Sequence, residues 1–257
     1  MNDYFSFSRL ALVWRCYSPG MSKQLLLTGG LTLVAYLVSF MATQVAWGIL
    51  LYGMMSYVTA ITYCCGPLHF ARFRDSSFDL QIPATPGERT AVMLGYTLVV
   101  VPGVMAAVWY GAAFVTGVFT SDAWVTSSVI TRFMSNLEPD EAETVNGIFK
   151  YTWLQNFQNA IPALVCLLCV VLSRRNKVLK GIIGIIVTYL TMSVAAGIFA
   201  FIKVLVDIKV KGVSDEEFFG SLDTMLAASL YIMAVAALVM LAFTIWRLNR
   251  AFRHRQA

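Results

Sequence analysis

The chain has 257 residues, 58% of them hydrophobic and only 13% charged, with a mean hydropathy of +0.70 and a formal net charge of +5. A soluble domain averages about 45–50% apolar and about 25% charged residues, so a water-surrounded enzyme, a nucleic-acid binder and a disordered scaffold are excluded. This is the balance of an integral membrane protein, and five cysteines, two of them adjacent, give no secreted disulfide framework.

In chain order, the first element is an N-terminal amphipathic stretch. Phe7, Leu10, Ala11 and Trp14 recur at helical spacing, Ser6 or Ser8 is placed to cap, and Arg9 and Arg15 suit a helix lying in the cytoplasmic membrane interface. A generic anchor and a specific role fit this pattern equally. Pro19-Gly20 is expected to turn the chain before Lys23. A helix needs about 20 apolar residues to cross the hydrocarbon core. Six spans are predicted, at about 24–43, 45–65, 91–118, 158–174, 181–202 and 224–246. The organisation is thus an interfacial helix over 1–23, a six-span transmembrane domain over 24–247 and a basic tail over 248–257. The wholly apolar part of the fourth span is short, running from Ala160 to Ser173. No cleavable signal peptide is read at the N-terminus, so the first span is expected to stay in the membrane.

Between spans two and three the chain carries a basic aromatic patch, His69, Phe70, Arg72, Phe73 and Arg74. Ser76 or Ser77 can cap a short helix that Pro83 must end. Phe78, Leu80 and Ile82 give that helix an apolar side for a partner or the membrane surface to cover. Thr85-Pro86-Gly87-Glu88 then fits a capping box with proline at the first helical position, opening span three. Pro102-Gly103 should kink span three at its middle. The outer loop 119–159 has an acidic half, Leu137–Glu143, and an aromatic half, Ile148–Leu154, read as a helix near the outer interface. Pro162 is read as lying in the first turn of span four. Cys166 and Cys169 in that span are expected to pack as apolar residues, because hydrocarbon disfavours the thiolates that redox or zinc chemistry needs. Gly181 and Gly184 in span five, and Gly29-Gly30 in span one, are candidate close-packing positions. Before span six, Glu216-Glu217-Phe218-Phe219 can dip back toward the membrane.

Sorting the 19 basic residues by loop sets the direction. Both tails and the loops after spans two and four hold 14 of them and four acidic residues; the other side holds five basic and ten acidic residues. That is about +10 on one face and −5 on the other, and the positive-inside rule puts both termini in the cytoplasm. The basic balance therefore reflects topology and attraction to anionic lipid, with no nucleic-acid partner implied. The span centres carry no Asp, Glu, Lys, Arg or His, so a proton pump or charged-filter channel is disfavoured and transport energy is expected from outside the membrane. Neither histidine, His69 or His254, has a partner at metal-ligand spacing, and there is no G-x-x-x-x-G-K-[ST] phosphate loop. No catalytic, cofactor-binding or metal-binding residue is assigned.

In layout the chain resembles the permease subunit of bacterial ABC-2-type exporters. These have six spans with both termini inside, an amphipathic helix before span one and a coupling helix between spans two and three. The matching segments are Phe7–Trp14 and Ser76–Ile82. Ile82-Pro83-Ala84-Thr85-Pro86-Gly87-Glu88-Arg89 is similar to the Leu-Pro-x-Ser-x-x-Glu run that opens span three in the family. Topology covers nearly the whole chain and the motif about ten residues. The long outer loop after span three departs from the family, whose re-entrant helices lie between spans five and six; Glu216–Leu222 stands there as a short version.

The resemblance implies an inner-membrane, non-enzymatic translocation subunit. It would pair with a second copy or a related permease, and with ATP-binding cassette subunits that hold ATP and Mg. ATPase coupling would fall on Ser76, Phe78, Asp79, Leu80, Ile82, Pro83 and Glu88, and the interfacial helix on Phe7, Leu10, Trp14 and Arg15. The alternatives are a non-transporting accessory or assembly subunit that docks a cytoplasmic partner on the same loop, and a channel or carrier for a neutral substrate.

Overall fold

The computed structural model describes residues 5–42, 48–75, 84–119, 152–173, 175–206 and 215–256, and within them the backbone is helical apart from short connections. An apolar chain has no other economical choice in hydrocarbon, where each unsatisfied backbone group costs several kcal/mol and helices satisfy theirs internally. The helices are α1 (Phe7–Ala42), α2 (Gly48–Cys64), a rod α3, α4 (Thr152–Leu172), α5 (Lys177–Val206) and α6 (Asp215–Gln256). The rod α3 runs through Pro86–Gly95, Tyr96–Val100 and Val101–Phe119, and a 3-10 helix, Gly66–Asp75, follows α2. Among the described residues, four helices are long and apolar enough to cross a membrane: Phe7–Ala42, Pro86–Gly117, Lys177–Phe199 and Tyr231–Arg253. The second expected span is represented by the 17 residues of α2, and the fourth by the shorter apolar run Gln158–Leu172.

Two prolines, Pro19 and Pro162, behave differently from expectation. The turn expected at Pro19-Gly20 does not form: α1 continues through it as one helix of 36 residues. Proline there removes the donor that would bond the carbonyl of Arg15. The Ser18 hydroxyl donates to that carbonyl instead, at 2.9 Å, and Ser22 donates to the Pro19 carbonyl at 3.2 Å. The amphipathic stretch is thus the first turns of the rod, with Val13, Tyr17 and Met21 buried and Phe7 81% exposed.

Pro162 lies in the interior of α4 rather than in its first turn, because the helix already begins at Thr152. The polar lead-in is accommodated by neighbours: Asn159 Oδ1 accepts from the Tyr189 hydroxyl at 3.2 Å, and the Asn159 carbonyl accepts from Cys64 Sγ at 3.6 Å. In α3 the irregularity falls just ahead of Pro102, as a π-helical turn over Tyr96–Val100 in which the Val101 N–H reaches back to the Tyr96 carbonyl. The wide turn sits where the proline is about to withdraw a donor from the ladder.

Helix α4, short only in its apolar run, is the hub, packed on α2, α5, α6 and the 3-10 helix, while α1 packs on α2 and α3. Ala163, Cys166, Leu167 and Val170 are fully buried in its flank. Gly181 and Gly184 of α5 face it so closely that a β-carbon would lie 3.2 Å from Cys166 Sγ at the first and 3.0 Å from Cys169 Sγ at the second. The two cysteines are therefore packing residues against a glycine face, as small-residue helix contacts require. The His69 and Phe70 part of the basic aromatic patch is not a free loop either. Both side chains are buried, and Phe70 meets Tyr17 and Tyr96 edge-on with centroids 6.1 and 5.5 Å apart.

Gly20 abuts the His69 ring so tightly that a β-carbon there would collide with His69 Cε1. Gly20→Ala is expected to cost about 1–3 kcal/mol, as overpacked sites do, read as a lowered thermal midpoint in detergent. In a His69→Ala background the same change should be nearly silent; an undiminished loss there would show that the ring contact is not its cause.

Candidate functional site

The described residues with the richest polar geometry lie at one end of the bundle, where α3 begins. Thr85 adopts an extended backbone (φ −69°, ψ 155°) and its hydroxyl accepts from the Glu88 N–H at 3.3 Å, while Glu88 Oε2 accepts from the Thr85 N–H at 2.8 Å. The capping box read from the sequence is present in both arms, with Pro86 at the first helical position. Its carboxylate does more than cap. Glu88 Oε1 also accepts from the Ser6 backbone N–H at 2.8 Å and from Arg9 Nε at 3.1 Å, and the side chain is fully buried.

An ionised carboxylate without water needs charge-assisted donors, and here they arrive from two segments far apart in sequence. Glu88 stands on the polar first turn of α3, ahead of the apolar run that begins at Ala91. Burial alone pushes its carboxyl up. The N–H groups of Thr85 and Ser6 and the Arg9 guanidinium outweigh that and hold it below the ordinary carboxylate value.

The next residues of α3 tie in the C-terminal end of α6. The Thr90 hydroxyl donates to Asn249 Oδ1 at 3.0 Å, and the buried Arg89 guanidinium sits 6.0 Å from the Phe252 ring centroid. One layer deeper, the Gln24 amide donates to the Cys65 and Gly66 carbonyls at 3.1 and 2.8 Å, closing the end of α2, and accepts from the Tyr96 hydroxyl at 3.2 Å. Across the junction, the buried Lys177 at the start of α5 donates to the Ala71 carbonyl at 3.4 Å. The starts of α1, α3 and α5 and the end of α6 therefore meet at one end of the bundle. The chemistry of this junction is mechanical: the Glu88 carboxylate is committed to three donors and locks segments together.

The sequence-derived site residues distribute unevenly over this geometry. Ser76, Phe78, Asp79, Leu80, Ile82 and Pro83 lie outside the described residues. Glu88 is the centre of the junction. Leu10 and Trp14 pack partly against the core, whereas Phe7 and Arg15 face outward. Pro102 and Gly103 lie beyond the π-helical turn, about 20 Å along α3 from Glu88 at 1.5 Å per residue, and take no part. The residues that sequence reasoning missed are the long-range partners Gln24, Thr90, Tyr96 and Asn249, with Ser6 noted only as a cap and Arg9 only as an interfacial charge. Gln24 is a lone amide at the head of an apolar run, which is a usable signal for a buried polar contact.

Compared with protein-family models, with curated proteins and with solved structures, the chain matches none of them.

Glu88→Ala strands two backbone donors and a guanidinium, and is expected to destabilise the protein by about 2–4 kcal/mol. Arg9→Ala removes a partner that is 26% exposed and should cost only about 1 kcal/mol. Because the folded carboxyl titrates below its ordinary value of about 4.3, its contribution is complete above that pH and fades as pH falls through the folded value. Thermal midpoints of the wild type and Glu88→Gln should differ uniformly between pH 6 and 8 and draw together as pH falls below the ordinary carboxylate value.

Proposed function

We propose that the chain is the membrane-spanning permease subunit of an ATP-driven exporter of the ABC-2 type. In this reading six helices cross the inner membrane with both termini cytoplasmic. A separate ATP-binding cassette subunit pushes on the loop between the second and third helices, rocking the spans to move substrate. The supporting observation is the fixing of that loop's two flanks. On one side Phe70 and Ala71 are buried and the Ala71 carbonyl accepts from Lys177; on the other, Glu88 accepts from Ser6 and Arg9. In this reading, a force passed along the chain from residues 76–83 arrives at flanks that are bonded to α1, α3 and α5. The meeting of three helix starts and the last helix end at one end of the bundle is also what an even number of crossings requires.

The uncharged span centres fit this reading, since coupling energy supplied by a partner's ATP needs no intramembrane acid or base. They also suit an apolar, amphipathic or lipid-like cargo. A membrane subunit that docks a cytoplasmic partner without transporting would use the same loop.

Purification in mild detergent is expected to carry an ATPase with the chain, and co-reconstituted vesicles should show substrate-coupled ATP turnover. Phe78→Ala or Asp79→Lys should lower coupled turnover about ten-fold, the equivalent of roughly 1.4 kcal/mol of lost docking free energy, while leaving the thermal midpoint of the permease unchanged. A partner that co-purifies without hydrolysing ATP would transfer the assignment to the docking subunit, and the absence of any co-migrating ATPase would overturn the exporter.

A further inference from the structure

The last turns of α6 carry a feature that neither the junction nor the transport reading uses. Trp246 is 52% exposed, and the guanidinium carbons of Arg247 and Arg250 each lie 5.7 Å from its ring centroid. Guanidinium groups within about 6 Å of an indole face are held by the ring quadrupole, so one ring gathers two cations. No carboxylate pairs with either among the described residues, and α6 contains no acidic residue after Asp223. Two like charges gathered without a counter-ion repel each other, and each guanidinium offers five N–H donors to an acceptor from outside the chain.

Deeper along the same helix the surface is apolar. Phe243 stacks obliquely on Trp246 with centroids 5.9 Å apart, and Val239 and Val235 are 65% and 60% exposed. Val235, Val239, Phe243, Trp246 and Arg250 follow one another at three- and four-residue steps, which puts them on one stripe of the helix. From Val235 to Trp246 that stripe rises about 16 Å, close to the roughly 15 Å of hydrocarbon in one leaflet. The stripe is an apolar track of acyl-chain length that ends in an aromatic ring and two unneutralised guanidinium groups.

We infer that this stripe is a binding site for an anionic phospholipid, its acyl chain along Val235, Val239 and Phe243 and its phosphate held between Arg247 and Arg250. A free phosphate would satisfy the guanidinium groups but would leave the apolar track without an occupant of its own shape. Arginine suits the role better than lysine because its planar fork can bind phosphate oxygens in pairs. The site stands on the membrane character of the chain and is independent of whether the chain exports anything.

The test is native mass spectrometry of the full-length chain in detergent, titrated separately with phosphatidylglycerol, phosphatidylcholine and inorganic phosphate. Phosphatidylglycerol adducts are expected to form about thirty-fold more readily than phosphatidylcholine adducts, at about five-fold for each of Arg247 and Arg250. Arg247→Gln with Arg250→Gln should bring the two lipids to parity. The exposed pair Arg175→Gln with Lys180→Gln should leave the preference intact. Trp246→Leu keeps both charges and should lower phosphatidylglycerol occupancy about two- to five-fold by releasing the guanidinium groups from their common ring. A preference that survives the arginine double variant would overturn the site, as would equal loss in the Arg175 and Lys180 control. Inorganic phosphate that binds as well as phosphatidylglycerol and displaces it would overturn the lipid assignment.

Discussion

The fold depends on one constraint: in an apolar surrounding every backbone N–H and C=O must find its partner inside the protein. The chain contains several breaches of the helical ladder and answers them locally. Ser18 donates to the carbonyl that Pro19 leaves behind. The π-helical turn Tyr96–Val100 widens α3 just before Pro102. Gln24 reaches across from α1 to take the carbonyls at the end of α2. A serine, a wide turn and an amide do the same job, and together they let long rods run where isolated rules would put breaks.

The same constraint explains why polar chemistry gathers at one end. Buried ions need partners of high quality, and the Glu88 carboxylate obtains them by uniting a local cap with the N-terminal segment of the chain. The cap fixes where α3 begins, and the long-range donors fix where α1 begins relative to it. Thr90 and Arg89 extend the arrangement to α6 through Asn249 and Phe252. The flanks on either side of residues 76–83 are held by helices other than their own.

What could be read in advance depended on range. The capping box was visible because Thr85 and Glu88 are three residues apart, and Cys166 and Cys169 were recognisable as packing residues because their chemistry is unfavourable in hydrocarbon. The second half of the Glu88 arrangement was not visible, since Ser6 and Arg9 stand 82 and 79 residues away and no local pattern selects them. Pro19-Gly20 misled because proline followed by glycine usually turns a chain, whereas here α1 runs on through it, with Val13, Tyr17 and Met21 buried on either side and the Ser18 hydroxyl on the freed Arg15 carbonyl. His69 and Phe70 read as part of a basic aromatic patch because Arg72 and Arg74 follow them; that Gly20 leaves room for the His69 ring, 49 residues away, is not visible in any local pattern.

The fourth helix carries the shortest apolar run, and it is also the one most surrounded by protein. A length requirement set by lipid does not apply to a helix that touches mainly other helices. The outer faces of α5 and α6, by contrast, are long and largely uncovered. Changes in bilayer thickness therefore load the periphery and spare the centre. A thicker bilayer would load α5 and α6 first, and α4, enclosed by other helices, last.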